Sequence, residues 1–187
     1  MRRAACAAAP AGFELDAWLP EPRVLTLHRR DARADPDSLW RAAQTVRLSD
    51  TPRLGRIIRW RIEGTPPHLP FAELFRAYPF TLLAEGDRWS VSGLCGRIWT
   101  LARDYPRISG PEEFAAWREP GTVRVAFAHG VENDADGRSA LVSEARVKPV
   151  DRRADLRLRA VWAAVGRFER LIGAEALRVA TRRAELL

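Results

Sequence analysis

The chain has 187 residues, of which 47% are hydrophobic, 29% charged and 9% aromatic. This length and composition are typical of one ordinary globular domain and exclude disordered, collagen-like and fibrous proteins. The formal net charge is +7, but the 24 acidic residues are interspersed with the 31 basic ones, so we expect no nucleic-acid partner.

The start of the chain differs in composition from the rest. Residues 1–12 carry two arginines and an alanine-rich run. That run lacks leucine-like bulk and is too short for a secretory signal. We therefore expect a flexible N-terminal tail over 1–12, followed by a single domain over 13–187.

The first half of the domain predicts a strand and then short helices. Alternating residues predict the strand over 23–30. Asp35 followed by Pro36 is typical of a helix start, and this helix is expected to end near Leu48. A second helix is predicted from about Thr51. Its apolar stripe is expected to consist of Leu54, Ile57, Ile58 and Ile62. Its basic face is expected to consist of Arg53, Arg56 and Arg59.

After a proline-rich loop and a short helix over 71–78, the pattern changes to strands. Residues 80–102 predict a hairpin whose second strand is broken or bent at Gly93 and Gly96 and resumes from Arg97 to Leu101. Residues 122–150 predict another hairpin, with turn-forming asparagine, aspartate and glycine residues at its centre. One face of this second hairpin is apolar, and the other is expected to place Arg124 opposite Glu144.

The end of the chain predicts one long helix. From Asp151 to about Arg183 no proline occurs, and the apolar residues keep helical spacing. Gly166 and Gly173 lie within this segment, and each weakens a helix by roughly 1 kcal/mol relative to alanine. We expect a bend or a close backbone approach at these glycines.

Several kinds of chemistry are absent from the sequence. Cys6 and Cys95 are too few for a disulfide framework and have no metal-ligand spacing. There is no P-loop, dinucleotide-binding glycine motif, nucleophile elbow or His-Glu-x-x-His, so we expect no metal and no cofactor. No stretch approaches the ~18 to 20 consecutive apolar residues of a membrane-spanning helix. These features predict a cytoplasmic protein with no membrane span.

Three segments resemble a known superfamily. The segments are GLCGRIWTLA at 93–102, FAAWREPGTVRVAFAHGV at 114–131 and SEARVKPVDRRADLRLRAVW at 143–162. They are similar to the G-x-x-G-R-x-W, F-x-x-F-x-x-P-G and T-E-T-R-V motifs of an uncharacterised bacterial branch of the START and pollen-allergen-like superfamily (SRPBCC, or helix-grip). The resemblance extends over about 23–185. Departures from the motifs include Ser143 and Ala145, which stand in place of the threonines.

The resemblance implies an α+β fold of the helix-grip type. In that fold a curved antiparallel sheet wraps around a long C-terminal helix, with two short helices after the first strand. It also implies a cavity between the sheet and the helix, and hence binding of an apolar small molecule such as a lipid or a polyketide-like aromatic. The residues expected to contact this ligand are Arg97, Trp99, Val125, Phe127, His129, Trp162, Val165 and Phe168.

Each of these residues also has a purely structural explanation. Arg97 and Trp99 share a strand face and could anchor a ligand carboxylate and stack on its ring, or else lie on the surface. His129 could bind a polar group or act as a base, or be an edge histidine that reaches water. Trp162 and its helical neighbours are expected to belong to the core with or without a ligand.

Two other functions compete with ligand binding. A cyclase- or hydrolase-type enzyme could use the same cavity, and it would need His129 or Arg97 inside with a hydrogen-bonding partner. An interaction module could use the basic face of the second helix, formed by Arg53, Arg56 and Arg59. The sequence assigns no catalytic residue, no ligand identity and no oligomeric state.

Overall fold

A computed structural model describes residues 13–100, 105–133, 138–172 and 174–186. The fold is α+β, as predicted, and is built on a five-stranded antiparallel sheet in the order β1-β5-β4-β3-β2. The strands are β1 (Val24–Ala32), β2 (Thr81–Gly86), β3 (Trp89–Gly96), β4 (Val123–Asn133) and β5 (Ser139–Pro149). The helices are α1 (Pro36–Gln44), α2 (Leu54–Arg61), α3 (Phe71–Leu74), α4 (Pro111–Ala116), α5 (Arg152–Ile172) and α6 (Glu175–Ala184). The tail expected at 1–12 lies outside the described residues.

The two short helices predicted after the first strand are present as α1 and α2. Helix α1 begins where the sequence indicates, because the Asp35 carboxylate accepts hydrogen bonds from the amides of Asp37 at 3.1 Å and Ser38 at 2.9 Å. These bonds satisfy amide groups that have no partner inside the helix. They also hold the pKa of Asp35 below its usual value.

Several predicted elements end earlier than expected. Helix α1 ends at Gln44 rather than near Leu48, and α3 ends at Leu74 rather than at residue 78. Strand β3 stops at Gly96, which adopts φ +134°, a conformation that favours glycine. Arg97 then begins a turn, closed by hydrogen bonds from the Thr100 amide and hydroxyl to the Arg97 carbonyl at 3.2 and 3.0 Å. The single helix expected at the C-terminus is described as two, of which α5 ends at Ile172 and α6 begins at Glu175.

The register of the central hairpin determines which side chains face inward. In the pairing of β4 with β5, Val125 lies opposite Val147 and Phe127 opposite Ala145, so these apolar residues share one face, as predicted. The expected pairing of Arg124 with Glu144 is wrong, because Arg124 lies opposite Lys148. The cause is a hairpin register that differs from the assumed one, while the faces remain the same.

Both faces of the sheet are covered. The inner face carries Val125, Phe127 and His129 and is packed by helices, while the outer face carries Ala126 and Ala128. The outer face is covered by the segment before β1 and by α4, whose buried side chains there include Leu15, Leu19, Ile108 and Phe114. Among the described residues no helix has the length and apolarity needed to cross a membrane.

Arg146 attaches the N-terminal segment to the outer face. This buried side chain donates hydrogen bonds to Asp16 Oδ1 at 2.6 Å and to the Leu19 carbonyl at 3.3 Å, and it pairs with Glu144 on its own strand. The guanidinium is thereby surrounded by acceptors, which is how a buried cation is tolerated. Its proximity also lowers the pKa of Asp16.

Gly93 marks the closest approach of α4 to the sheet. A Cβ atom at this position would lie 2.7 Å from the Phe114 ring and 2.8 Å from Leu83 Cδ1. Both neighbours are buried in the outer core, so neither can move without loss of packing. Only glycine fits under Phe114 here.

We expect Gly93→Ala to lower the free energy of unfolding by about 1–3 kcal/mol, the usual cost of overpacking a core. Gly110→Ala is the matched control, because a Cβ at Gly110 meets nothing within 4 Å. Its effect should stay within about 0.5 kcal/mol. Urea denaturation of both variants measures this difference, and equal stabilities would contradict the packing described for Phe114.

Candidate functional site

A cavity of about 300 Å³ lies between the inner face of the sheet and the helices α1, α2, α3 and α6. This volume is at the lower end of the range for small-molecule sites. Its helical wall is largely apolar and includes Trp40, Ala43, Leu54, Ile58, Phe71, Phe75, Ala176, Leu177 and Ala180. Its floor is the sheet, represented by Thr26, His28, Ser90, Phe127, His129, Leu141, Ser143 and Ala145.

A row of polar residues crosses this floor. His129 on β4 lies opposite Ser90 on β3 and opposite Ser143 on β5, and Ser143 lies opposite His28 on β1. Side chains that are directly opposite on one face of a sheet have Cβ atoms about 4.5–5.5 Å apart. The polar groups of the floor are therefore concentrated in one band, which the strand register creates from residues far apart in sequence.

His129 is the member of this row whose environment is most unusual. Its Nε2 atom is buried and has no hydrogen-bond partner among the described residues. Its ring packs against Phe75, with the ring centroids 4.5 Å apart, and Phe75 also contacts Phe127 and Phe80. Burial lowers the pKa of His129 from 6.5 to about 4, so the imidazole is neutral at pH 7.

The described lining contains no aspartate, glutamate, lysine or arginine. Its titratable groups are the two histidines, His28 and His129. A protein of net charge +7 thus keeps formal charge away from this part of its interior. No carboxylate of the described lining is placed to orient His129 or to accept its proton, as a general base would require.

The structure places some predicted ligand-binding residues in the cavity and others elsewhere. Phe127 and His129 line it. Val125 belongs to a packed cluster near the other end of β4. The other members of this cluster are Val24, Leu94, Val123, Val147 and Leu158. Trp99 and Trp162 pack against the cluster. The described part of the cavity lining includes none of these three predicted residues. At that end of the sheet Leu158 of α5 fills the space above Val125.

Arg97 also lies away from the cavity. Since β3 ends at Gly96, the Arg97 side chain is exposed in the turn that follows and does not continue the strand face. The side chains of Val165 and Phe168 lie outside the described part of the structure. Ligand contact at these positions therefore stays a prediction from the sequence.

Sequence reasoning missed the helical wall of the cavity. Trp40 and Ala43 of α1, and Ala176 and Ala180 of α6, line the same cavity as Ser143 and Ala145. The spacing of Ala176 and Ala180 indicates one face of a helix. This spacing does not reveal that these small helical residues line a cavity together with small residues of the sheet. The cavity remains unfilled because the side chains on both sides are small.

The basic face of α2 is present on the surface. Arg53, Arg56 and Arg59 are exposed, as expected. Ile57 was predicted on the inner apolar stripe, but it is 46% exposed, and Trp60 beside it is 57% exposed. Only part of the predicted stripe faces inward, because Leu54 and Ile58 line the cavity. The interaction-module hypothesis stays a prediction.

Comparison with known proteins adds little to this geometry. No protein-family model matches the chain, and no curated protein matches it significantly. Among solved structures, it is similar to a hypothetical protein from Helicobacter pylori, with a TM-score of 0.41 and 9% sequence identity over 96% of this chain and 99% of that one.

The neutral state of His129 predicts a pH dependence of stability. Its pKa is about 4 in the folded protein and about 6.5 when unfolded, so the unfolded chain binds the extra proton as the pH falls between these values. This contribution to stability is complete above pH 6.5 and is lost below it. From pH 7 to pH 5 we expect the free energy of unfolding to fall by about 2 kcal/mol through this group.

Urea denaturation at several pH values tests this expectation with two variants. His129→Leu removes the titrating group and should flatten the dependence between pH 7 and pH 5. Ser143→Ala changes the same floor without removing a titratable group and should keep the wild-type slope. An unchanged slope in His129→Leu would show that His129 is not buried in its neutral form.

Proposed function

We propose that this protein binds an apolar small molecule in the cavity on the inner face of its sheet. The observation that carries the proposal is a cavity of about 300 Å³ with an apolar helical wall and one band of polar groups on its floor. Small-molecule sites generally combine such apolar walls with a few placed polar groups that orient the ligand. A lipid fragment or a polyketide-like aromatic fits this chemistry.

The small side chains around the cavity support the proposal. Small side chains at Ala145, Ala176 and Ala180 maintain this space, although larger apolar residues would fill it. A ligand that occupies the space recovers the lost packing and removes apolar surface from water.

We also propose that the fold is a variant of the helix-grip arrangement. In support, α5 and α6 both pack on the inner face of the antiparallel sheet. Leu158 of α5 is buried against β1, β3, β4 and β5, and Leu177 of α6 is buried beside Ala32 and Leu141. The variant differs from the expected single helix by the separation of α5 from α6.

Catalysis in the same cavity has less support. A cyclase or hydrolase would need an acid or base with an orienting partner. Arg97 is exposed outside the cavity, and the described lining has no carboxylate to pair with His129. Binding requires none of these groups, so it is the function that we favour.

Binding can be tested with an uncharged apolar fluorophore, N-phenylnaphthylamine, whose emission rises in apolar surroundings. Ala145 lies in the floor of the cavity, so Ala145→Leu should reduce the affinity at least about tenfold by filling it. Ala163→Leu is the matched control, because Ala163 is exposed on α5 and its replacement should leave the affinity unchanged. Native mass spectrometry of freshly purified protein should also reveal a co-purified apolar compound.

The two variants separate cavity binding from surface adsorption. Equal fluorophore binding by Ala145→Leu and the wild type would place the probe outside the cavity and contradict the proposal. A wild-type protein that neither enhances fluorophore emission nor carries an added mass would do the same. Circular dichroism of each variant confirms that the comparison is between folded proteins.

A further inference from the structure

We infer that the exposed face of α2 docks on membranes that contain anionic lipids. This surface, called the α2 face below, consists of Arg53, Arg56, Ile57, Arg59 and Trp60, all of which are exposed. It combines exposed apolar side chains, positive charge without a counter-charge among the described residues, and a fixed attachment to the rest of the protein. The inference goes beyond the proposed function, because docking does not require an occupied cavity.

The first property is the exposure of two large apolar side chains. Trp60 is 57% exposed and Ile57 is 46% exposed, whereas each of the other six tryptophans is at least partly buried. Ile57 and Trp60 are three residues apart and are therefore neighbours on the helix surface. Tryptophan is enriched at membrane–water interfaces, since its apolar ring carries one polar N–H group. The pair supplies the apolar surface that an interfacial helix inserts at the headgroup boundary.

The second property is the charge of the same face. Helix α2 contains no acidic residue. Arg53, Arg56 and Arg59 form no ion pair with any other residue in the described part of the chain. Arg53 and Arg56 lie at the N-terminal end of the helix, where the helix dipole disfavours cations. These charges therefore do not stabilise α2, and they complement an anionic surface instead.

The third property is the attachment of α2 at both ends. At its N-terminus, Glu175 of α6 accepts hydrogen bonds from the amides of Arg53 at 3.2 Å and Leu54 at 2.8 Å. Near its C-terminus, Arg61 donates hydrogen bonds to two backbone carbonyls within 98–100. The α2 face is thus already formed in the free protein, so docking does not require the ordering of a new segment.

The combination of charge and apolar surface favours a membrane over other partners. Symmetric contact with a second copy of this chain would bring the same three arginines together, and like charges repel. Single-stranded RNA attracts the arginines and stacks on Trp60, but it offers no partner to the aliphatic Ile57. An anionic bilayer matches both parts, because its headgroups pair with the guanidinium groups and its interface accepts Ile57 and Trp60.

The inner side of α2 gives further support for a membrane. Leu54 and Ile58 line the cavity, while Ile57 and Trp60 are exposed, so α2 lies between the cavity and the docking face. A helix with its side chains is about 10 Å across. Docking by α2 therefore holds the cavity close to the bilayer, where apolar molecules of the class proposed above are dissolved.

Co-flotation of the full chain with lipid vesicles tests the inference. One vesicle type contains phosphatidylcholine alone, and the other contains about 30% phosphatidylserine in addition. At about 0.1 M salt, where charges act over about 10 Å, we expect the wild type to bind the anionic vesicles at least about tenfold more tightly than the neutral ones.

A matched pair of triple variants locates the charge contribution. The combined replacements Arg53→Gln, Arg56→Gln and Arg59→Gln should lower the affinity for anionic vesicles at least about tenfold. The control makes the same change to the net charge at three exposed arginines of α5, and it should lower the affinity at most about threefold. These control positions are Arg152, Arg153 and Arg157.

A second matched pair locates the apolar contribution. Trp60→Ser should lower the affinity for anionic vesicles at least about fivefold, because it removes apolar surface that docking takes out of water. Leu156→Ser is the control, since Leu156 is 58% exposed on α5, and it should stay within about twofold of the wild type. Circular dichroism verifies that every variant is folded.

Several outcomes would overturn the inference. They are equal affinity of the wild type for the two vesicle types, no binding to either, equal losses in the two triple variants, and an unchanged affinity in Trp60→Ser. Tighter binding to a single-stranded RNA oligonucleotide than to anionic vesicles would assign the α2 face to nucleic acid instead. N-phenylnaphthylamine binding should be the same in all these variants as in the wild type, so a failure of vesicle docking is distinguishable from a failure of cavity binding.

Discussion

The pairing of β4 with β5 is the constraint on which the rest of the molecule depends. Eleven residues of each strand form one continuous antiparallel register from Val123 opposite Pro149 to Asn133 opposite Ser139. Side chains alternate between faces, so a slip of one residue would exchange every inward group for an outward one. Here both faces are buried, and the slip would move Phe127 and His129 out of the cavity to the outer face and bring Ala126 and Ala128 to the inner face. The register is thus specified from both sides of the sheet.

Local signals in the sequence predict the elements that depend on neighbouring residues. Helix α1 follows from Asp35, whose side chain is suited to cap it, and the alternation of Val125, Phe127 and His129 correctly predicts one face. The sequence predicts a break or bend at Gly96 but not that β3 ends there, because a glycine permits a left-handed conformation without requiring it. The exposure of Arg97 depends on that choice. The separation of α5 from α6 was not predicted either, since the helical periodicity of the sequence continues from one helix into the other.

The cavity could not be predicted from local patterns, because it is defined by volume that no side chain occupies. Each of Ser143, Ala145, Ala176 and Ala180 is an ordinary residue for its element, and only the packing of α6 over β5 brings them together. The predicted position of the cavity near Trp162 was therefore displaced toward α1 and α6. The polar row has a similar origin, because four residues from different strands become neighbours only through the register. Phe127 and His129 were predicted because they lie on one strand.

The outer face of the sheet has a mechanical consequence for the cavity on the other side. Gly130 follows His129 directly, and on the outer face the Phe13 ring lies 2.7 Å from where a Cβ of Gly130 would stand. The sheet is a single layer, so the floor under the polar row is only as rigid as the packing behind it. Phe13, Leu15 and Phe114 pack against the outer face of the sheet, on the side opposite the cavity. Substitutions there would change the shape of the floor without altering any residue that lines the cavity.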